Sequence, residues 1–119
     1  MVLFGYPKCN TSRRAKKFLE EYGISYTERL IHLENPRKEE LLAWQTMSGY
    51  PLKKFFNTSG QVYKSLGLKD KIPNMTQDEQ LSLLAQDGML VKRPILVGDD
   101  FVLVGFHEEE WKEKLGIAR

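Results

Sequence analysis

The chain contains one cysteine, Cys9, at a position where a thiol is reactive. A short apolar run over residues 2–4 predicts a buried strand, Gly5 ends it, and the polar residues after Cys9 are of the types that begin helices. Backbone N–H groups at a helix start have no partner within the helix, and the helix dipole adds partial positive charge there. Both effects stabilise the thiolate, which is the nucleophilic form of cysteine. The sequence therefore predicts a nucleophile of lowered pKa at Cys9, although a lone cysteine is more often a small buried apolar residue.

The same turn is predicted to bind an anion beside the nucleophile, because free N–H groups at a helix start hold oxyanions. Asn10 and Thr11 suit capping of the helix start through their side-chain oxygens. Several basic residues add positive charge close to the thiol: Lys8, Arg13, Arg14, Lys16 and Lys17. These basic residues equally fit one solvated helix face, so no individual role follows for any of the lysines.

The remaining composition narrows the class of protein. One cysteine cannot form an intramolecular disulfide, and a reduced thiol predicts a cytoplasmic protein. His32 and His107 lie far apart in the sequence, so no metal site is expected. A signal peptide and an apolar run of about 20 residues are both missing, which predicts no membrane span. The net charge of +2, from 18 basic and 16 acidic residues, is too even to indicate direct nucleic-acid binding.

The elements that must position Cys9 have the order β-α-β, then a helical middle, then β-β-α. After the first strand, one apolar helix face (Ala15, Phe18, Leu19, Tyr22) ends at Gly23, and alternating apolar residues predict a second strand over residues 24–33. A strand-helix-strand connection of this kind implies a parallel pair. Two apolar runs, 95–97 and 101–104, flank Gly98-Asp99-Asp100 and predict a hairpin. A last helix from about His107 to Gly116 is predicted to bury Trp111 and Leu115.

The helical middle is predicted to be an insertion over about residues 35–90 of one domain that spans residues 1–119. Asn35-Pro36 fits the start of a helix that ends near Gly49. Thr76 and Glu79 fit a capping box at the start of a second helix, which continues to Gly88. Between these two helices the apolar residues predict one or two short helices. The sequence shows no repeat and no low-complexity linker.

Three segments together resemble the arsenate reductase and Spx family, and the resemblance covers nearly the whole chain. They are residues 6–13 (YPKCNTSR) after the first strand, Arg93-Pro94-Ile95 before the hairpin, and Val104-Gly105-Phe106 after its second strand. A Cys-x-x-Ser motif alone would be weak, but its combination with Arg-Pro-Ile at this distance is specific. The resemblance implies an α/β thioredoxin-like fold with a mixed sheet and a helical insertion, in agreement with the order of elements above.

The resemblance also implies a site and a reaction. Arg93 would lie beside the thiol, the Arg93–Pro94 bond would be cis, and Ser12 would hydrogen-bond the thiolate; an ordinary first-turn serine is the alternative for Ser12. Cys9 would attack arsenate, while Asn10, Thr11, Ser12, Arg13 and Arg93 would bind the anion. An external thiol, glutathione with glutaredoxin, would then regenerate the single cysteine. No bound cofactor is expected.

The chain departs from the family pattern at several positions. The well-studied glutaredoxin-dependent enzymes carry a histidine where this chain has Gly5, and they use three arginines, of which Arg93 matches one. Asn57 aligns with the second arginine, and Gly105 or Phe106 with the third; Lys53 or Lys54 could partly replace the missing charge. The Spx branch binds RNA polymerase and senses oxidation through Cys-x-x-Cys, whose second cysteine is Ser12 here. A regulator that binds RNA polymerase without the disulfide switch is therefore the alternative to an oxidoreductase.

Overall fold

One mixed four-stranded sheet organises the protein in the computed structural model, which describes residues 1–117. Strand β1 (Val2–Gly5) pairs in parallel with β2 (Thr27–Leu30) and antiparallel with β3 (Ile95–Val97). Strand β3 also pairs antiparallel with β4 (Val102–Val104), so the strand order is β2-β1-β3-β4. Strand β1 is therefore central, and the loop that carries Cys9 leaves its C-terminal end.

Helices cover both faces of this sheet. Within residues 1–117 the α-helices are α1 (Asn10–Glu21), α2 (Lys38–Ser48), α3 (Gln61–Ser65), α4 (Leu68–Lys71), α5 (Gln77–Gln86) and α6 (Glu108–Lys114). Single 3-10 turns occupy Leu52–Phe55, Ile72–Asn74 and Gly88–Leu90. None of the helices in this part of the chain has both the length and the apolar character of a bilayer-spanning segment.

Two cores form because successive side chains of a strand point to opposite faces of the sheet. Leu3 of β1 packs with α1 and with Trp111 of α6, whereas Phe4 packs with the inserted helices, including Trp44 of α2. Trp44 and Trp111 are buried, as their helical spacing predicted, and Leu115 is partly buried. The two cores fix the central strand from both sides and thereby fix the start of the Cys9 loop.

The predicted fold class is confirmed, since the element order is β-α-β, a helical insertion and β-β-α on a mixed sheet, the thioredoxin-like arrangement. The capping box at Thr76 and Glu79 is present, with both reciprocal hydrogen bonds made. The hairpin is also present, although Phe101 lies in its turn rather than in β4. A single domain over residues 1–119 stays a prediction, and residues 118 and 119 lie outside the described part.

Two predicted boundaries are wrong for physical reasons. Strand β2 covers Thr27–Leu30 only, because the chain turns directly after it: the Leu33 and Glu34 N–H groups both donate to the Leu30 carbonyl. Helix α2 begins at Lys38 rather than at Asn35-Pro36. The Asn35 side chain instead donates to the Ala85 carbonyl and so ties this loop to α5.

An ion pair between β2 and α2 predicts acid sensitivity. The Arg29 guanidinium donates to both Glu40 carboxylate oxygens, at 2.7 and 2.9 Å, and it stacks over the Phe4 ring. The hydrogen bond from Arg29 lowers the pKa of Glu40 to about 2, below the value of about 4.3 in an unfolded chain. The stabilisation is therefore complete above about pH 5 and is lost as the pH falls towards 2.

Glu40→Gln is expected to lower the free energy of unfolding by about 2 kcal/mol at pH 7, because it leaves the half-buried Arg29 without its carboxylate. Urea unfolding at a series of pH values checks this. The difference in the free energy of unfolding between the variant and the wild type should shrink as the pH falls from about 5 to about 2. Glu39→Gln removes an exposed carboxylate from the same helix turn and should change stability little. An equal effect of the two substitutions would contradict the prediction.

Candidate active site

Cys9 is the residue that directly precedes α1, at the end of the loop from β1. Its N–H donates to the Tyr6 carbonyl at 2.9 Å, and its own carbonyl accepts from the Arg13 N–H at 3.0 Å as the helix begins. The thiol is partly exposed. Its sulfur does not cap the helix through a side-chain hydrogen bond. The N–H groups of Thr11 and Ser12 nevertheless lie close enough to stabilise the negative charge of the thiolate. The chain thus presents an accessible sulfur to the free N–H groups of a helix start.

The environment of the thiol lowers its pKa. Burial by itself raises the pKa of Cys9, since it disfavours the charged thiolate. The N–H and hydroxyl of Ser12, the N–H of Thr11 and the positive charge of Arg93 act in the opposite direction and together outweigh burial. The pKa of Cys9 therefore lies below the ordinary value of a thiol, and more of it is thiolate at neutral pH.

Ser12 lies directly beside the thiol in the first turn of α1. It is only 5% exposed, and its Oγ accepts a hydrogen bond from the Tyr6 N–H at 3.2 Å. That bond uses an oxygen lone pair and leaves the hydroxyl proton for the sulfur. A Cβ on Gly5, where the family has histidine, would only touch Ser12, at 3.4 Å. The serine hydroxyl is thus held where it can stabilise a thiolate.

Ser12→Ala is expected to raise the pKa of Cys9 by about one unit, because a hydrogen bond to a charged group is worth about 1.5 kcal/mol or more. The midpoint of the pH profile of Cys9 alkylation by iodoacetamide should move up, and the rate below that midpoint should fall about tenfold. Ser65→Ala removes an exposed helical hydroxyl remote from the thiol and serves as the control. Superimposable profiles for Ser12→Ala and the wild type would refute this role for the hydroxyl.

Arg93 is the positive side chain that acts on Cys9, although it lies at the other end of the chain. Its peptide bond to Pro94 is cis, as the resemblance implied. The Arg93 guanidinium faces the Tyr6 ring at 5.1 Å, and one Nη contacts the Met89 carbonyl at a long 3.5 Å. Its Nε is buried without a hydrogen-bond partner, and no carboxylate of residues 1–117 forms a salt bridge with it. The guanidinium therefore keeps donors available for an anion.

The other predicted anion-binding residues are arranged differently. The exposed Arg13 guanidinium donates to the Pro7 carbonyl at 3.2 Å and also to the Asn10 side chain, so these two residues bind each other. Thr11 acts on the thiol through its N–H group rather than through its hydroxyl. That Asn10, Thr11, Ser12, Arg13 and Arg93 bind an anion stays a prediction.

A cavity of about 410 Å³ adjoins Arg93. Its walls include Asn57, Ser59, Gln61 and Met89. Asn57, at the aligned place of the family's second arginine, thus contributes an amide rather than a charge. Phe106 is one of the two residues that could align with the third arginine. Its ring packs against Phe18 and Trp111, in the core behind α1. Lys53 and Lys54 line a different cavity, so they do not supply the missing charge beside Arg93.

Tyr6 is a site residue that sequence reasoning missed. Its N–H donates to Ser12, its carbonyl accepts from Cys9, and its ring contacts Arg93. The ring also contacts His32 edge-to-face, with 4.9 Å between the ring centroids. Tyr6 therefore contacts Cys9 itself and two of the residues that lower its pKa, Ser12 and Arg93. An aromatic residue in the loop before the cysteine was the available signal, but its contacts depend on Arg93 and His32, which are distant in sequence.

Comparison with known proteins decides the family, since the ArsC family model matches residues 4–114. The chain belongs to the ArsC family. It is 51% identical to the uncharacterized protein YusI of Bacillus subtilis, over 95% of this chain and 96% of the relative. It is also 31% identical to the regulatory protein MgsR of the same organism, over 92% of this chain and 86% of MgsR.

A solved structure extends the likeness to three dimensions. A possible arsenate reductase from Streptococcus mutans superimposes with a TM-score of 0.86 at 43% identity, covering 93% of this chain and 96% of that one. The ArsC-family chain thus shares its thioredoxin-like architecture with a protein described by an enzymatic name, and its sequence with one described as a regulator.

In residues 1–117, no group of three or more His, Cys, Asp or Glu side chains could hold a metal ion.

Proposed function

We propose that this ArsC-family protein is a cytoplasmic thiol oxidoreductase with Cys9 as its nucleophile. The observation that carries the proposal is the lowered pKa of Cys9 at a helix start, next to a guanidinium whose donors are not taken by a carboxylate. A thiolate beside an anion-binding group suits attack on an electrophile that carries negative charge. Arg93 and the N–H groups of the helix start would hold that charge.

The reaction balances with an external thiol. With a disulfide as substrate, the Cys9 thiolate attacks one sulfur, a new S–S bond forms, and the other sulfur leaves as a thiolate. A second thiol, glutathione or the thiol of glutaredoxin, then attacks that mixed disulfide and releases Cys9. With arsenate, Cys9 forms an S–As bond and water leaves. Glutathione and the glutaredoxin thiol then supply two electrons: they join in one disulfide, the arsenic is reduced from As(V) to As(III), and hydrolysis of the S–As bond releases arsenite and the Cys9 thiol.

The charge of the site supports a thiol or disulfide substrate at least as strongly as arsenate. Asn57, which the resemblance aligns with the second arginine of the glutaredoxin-dependent enzymes, borders the Arg93 cavity. An amide cannot offer the charged bidentate contacts of a guanidinium. One guanidinium can bind a single carboxylate of a disulfide with two parallel hydrogen bonds, whereas arsenate would lack the further guanidinium contacts of the glutaredoxin-dependent enzymes.

Two assays test the proposal and its two substrates. The first measures arsenate-dependent NADPH oxidation with glutathione, glutaredoxin and glutathione reductase. The second incubates the protein with glutathione disulfide and follows the intact mass for one added glutathione. Turnover of arsenate would support the reductase, and a mixed disulfide on Cys9 without arsenate turnover would support the thiol-disulfide activity. Failure of both assays would overturn the proposed function.

A second candidate is a regulator that binds RNA polymerase. The likeness to MgsR, which is named a regulatory protein, favours it, together with the resemblance to the Spx branch. Ser12 stands in the place of a second cysteine, so the binding would be independent of an intramolecular disulfide. A pull-down with purified RNA polymerase under reducing and oxidising conditions tests this candidate. Equal capture under both conditions would support it, and no capture under either would exclude it.

A further inference from the structure

We propose that a second site, separate from Cys9, binds a small organic molecule with two negative charges. The site is a cavity of about 420 Å³, which is within the size range of small-molecule sites. Its rim carries Lys53, Lys54, Lys92 and His107, and its apolar walls include Phe56 and Val104. These lysines do not border the cavity at Arg93, so the site is independent of the proposed oxidoreductase activity.

The rim concentrates positive charge without a counterion. No carboxylate lines the cavity, and within residues 1–117 Lys53, Lys54 and Lys92 form no salt bridge. The whole chain has 18 basic and 16 acidic residues, so an acid-free group of three lysines is a local feature and not its general character. The three ammonium groups repel one another, and an anion with more than one charge offsets this repulsion best. Such an anion would therefore be bound preferentially there.

The structure holds the positive groups in place. The Lys54 Nζ lies 3.8 Å from the centroid of the Tyr50 ring, a contact that fixes one ammonium. The Lys92 N–H donates to the Phe55 carbonyl at 2.8 Å, which ties the segment of Lys92 to that of Lys53 and Lys54. Because the fold already orders these groups, binding loses less conformational entropy than it would with freely moving side chains.

Lys92 and His107 converge on one point at the end of β4. A Cβ built on Gly105 would lie 3.4 Å from both the Lys92 Cε and the His107 Nε2. The two side chains come from segments on either side of the hairpin, so the cavity is assembled by the tertiary fold. Their donors, together with those of Lys53 and Lys54, can contact two separate anionic groups on one ligand.

The walls limit the ligand to an organic anion. Phe56 and Val104 belong to the main core and close the bottom of the cavity, and Pro51 adds an exposed apolar ring to its wall. A compact carbon skeleton can lie against them while its charged groups reach the rim. Phosphate monoesters and dicarboxylates share this chemistry, since both carry two negative charges on oxygen next to an apolar body.

Titration of the full chain with phenyl phosphate and with phthalate, followed by NMR shifts of the His107 ring, tests the site. Either dianion should bind about tenfold more tightly than inorganic phosphate or benzoate, which lack the ring or the second charge. The tighter of the two dianions identifies the ligand as an ester or a dicarboxylate. Lys53→Gln/Lys54→Gln/Lys92→Gln should weaken binding at least about tenfold.

A matched triple variant, Lys64→Gln/Lys69→Gln/Lys71→Gln, removes the same charge from the inserted helices and should keep the wild-type affinity. Circular dichroism verifies the fold of both variants, and Cys9 alkylation should be unchanged in both. Equal weakening by the two triple variants would overturn the proposal, because it would show general attraction to a basic protein. Absence of a His107 shift with either dianion, or benzoate binding as tightly as they do, would overturn it as well.

Discussion

Replacement of Cys9 by serine is expected to abolish thiol-disulfide exchange and any arsenate turnover, with a loss of at least about a thousandfold. A hydroxyl at this position is not ionised near neutral pH and cannot form the S–S or S–As bond on which both reactions depend. The fold should be unaffected, because serine is among the best residues at the position that precedes a helix. The NADPH-coupled assay and thermal unfolding of the same samples measure the two effects separately.

The matched control is Cys9→Ala, which removes the nucleophile without supplying the capping hydroxyl that serine adds at this position. It should be as inactive as the serine variant but less stable by about 1 kcal/mol, because alanine cannot cap α1. Turnover retained in either variant would remove Cys9 from the mechanism. If the serine variant is inactive and also unfolds at a lower temperature, its inactivity does not by itself prove a chemical role for Cys9. Comparison with the alanine variant in the same two assays shows whether activity and stability change together.

Gly88→Ala is expected to be the most destabilising of the glycine substitutions in the protein's interior. A Cβ at Gly88 would lie 1.8 Å from the carbonyl oxygen of Ile31. Neither side can move freely: the Ile31 N–H donates to the Gly5 carbonyl, and the Asp87 side chain accepts from the Met89 N–H. Separating them should cost about 3 kcal/mol or more and lower the unfolding temperature by roughly 10 °C. Thermal unfolding measures the loss.

Gly23→Ala distinguishes this clash from ordinary backbone strain. Gly23 has a φ of 64°, and a Cβ there would meet nothing within 4 Å, so alanine should cost only about 1 kcal/mol. Gly88→Ala should also raise the pKa of Cys9, because the displaced segment leads directly to Met89 and Arg93. Equal unfolding temperatures for the two variants would contradict the close packing of Gly88 on Ile31.

The sequence by itself was sufficient to locate the candidate nucleophile and the order of elements. The end of a strand, a turn and the start of a helix are encoded in adjacent residues, so the placement of Cys9 before α1 follows from local signals. The capping box at Thr76 and the hairpin before α6 were predictable for the same reason. The start of α2 was not, because Asn35 satisfies a distant carbonyl of α5 instead of capping its own helix.

The tertiary structure alone decided what surrounds the thiol. Family resemblance named Arg93, but periodicity and spacing contain no information that would bring it to Cys9. The contact of the Tyr6 ring with Arg93, the close packing of Gly88 on Ile31 and the approach of the Lys92 side chain to Gly105 likewise join segments that are separated in the chain. Local propensity determines where a strand or helix begins, whereas sheet order and register determine which distant side chains meet. The position of the thiol and the local groups of the helix start that lower its pKa could therefore be predicted from the sequence, whereas the approach of Arg93 and of the Tyr6 ring depends on the tertiary structure.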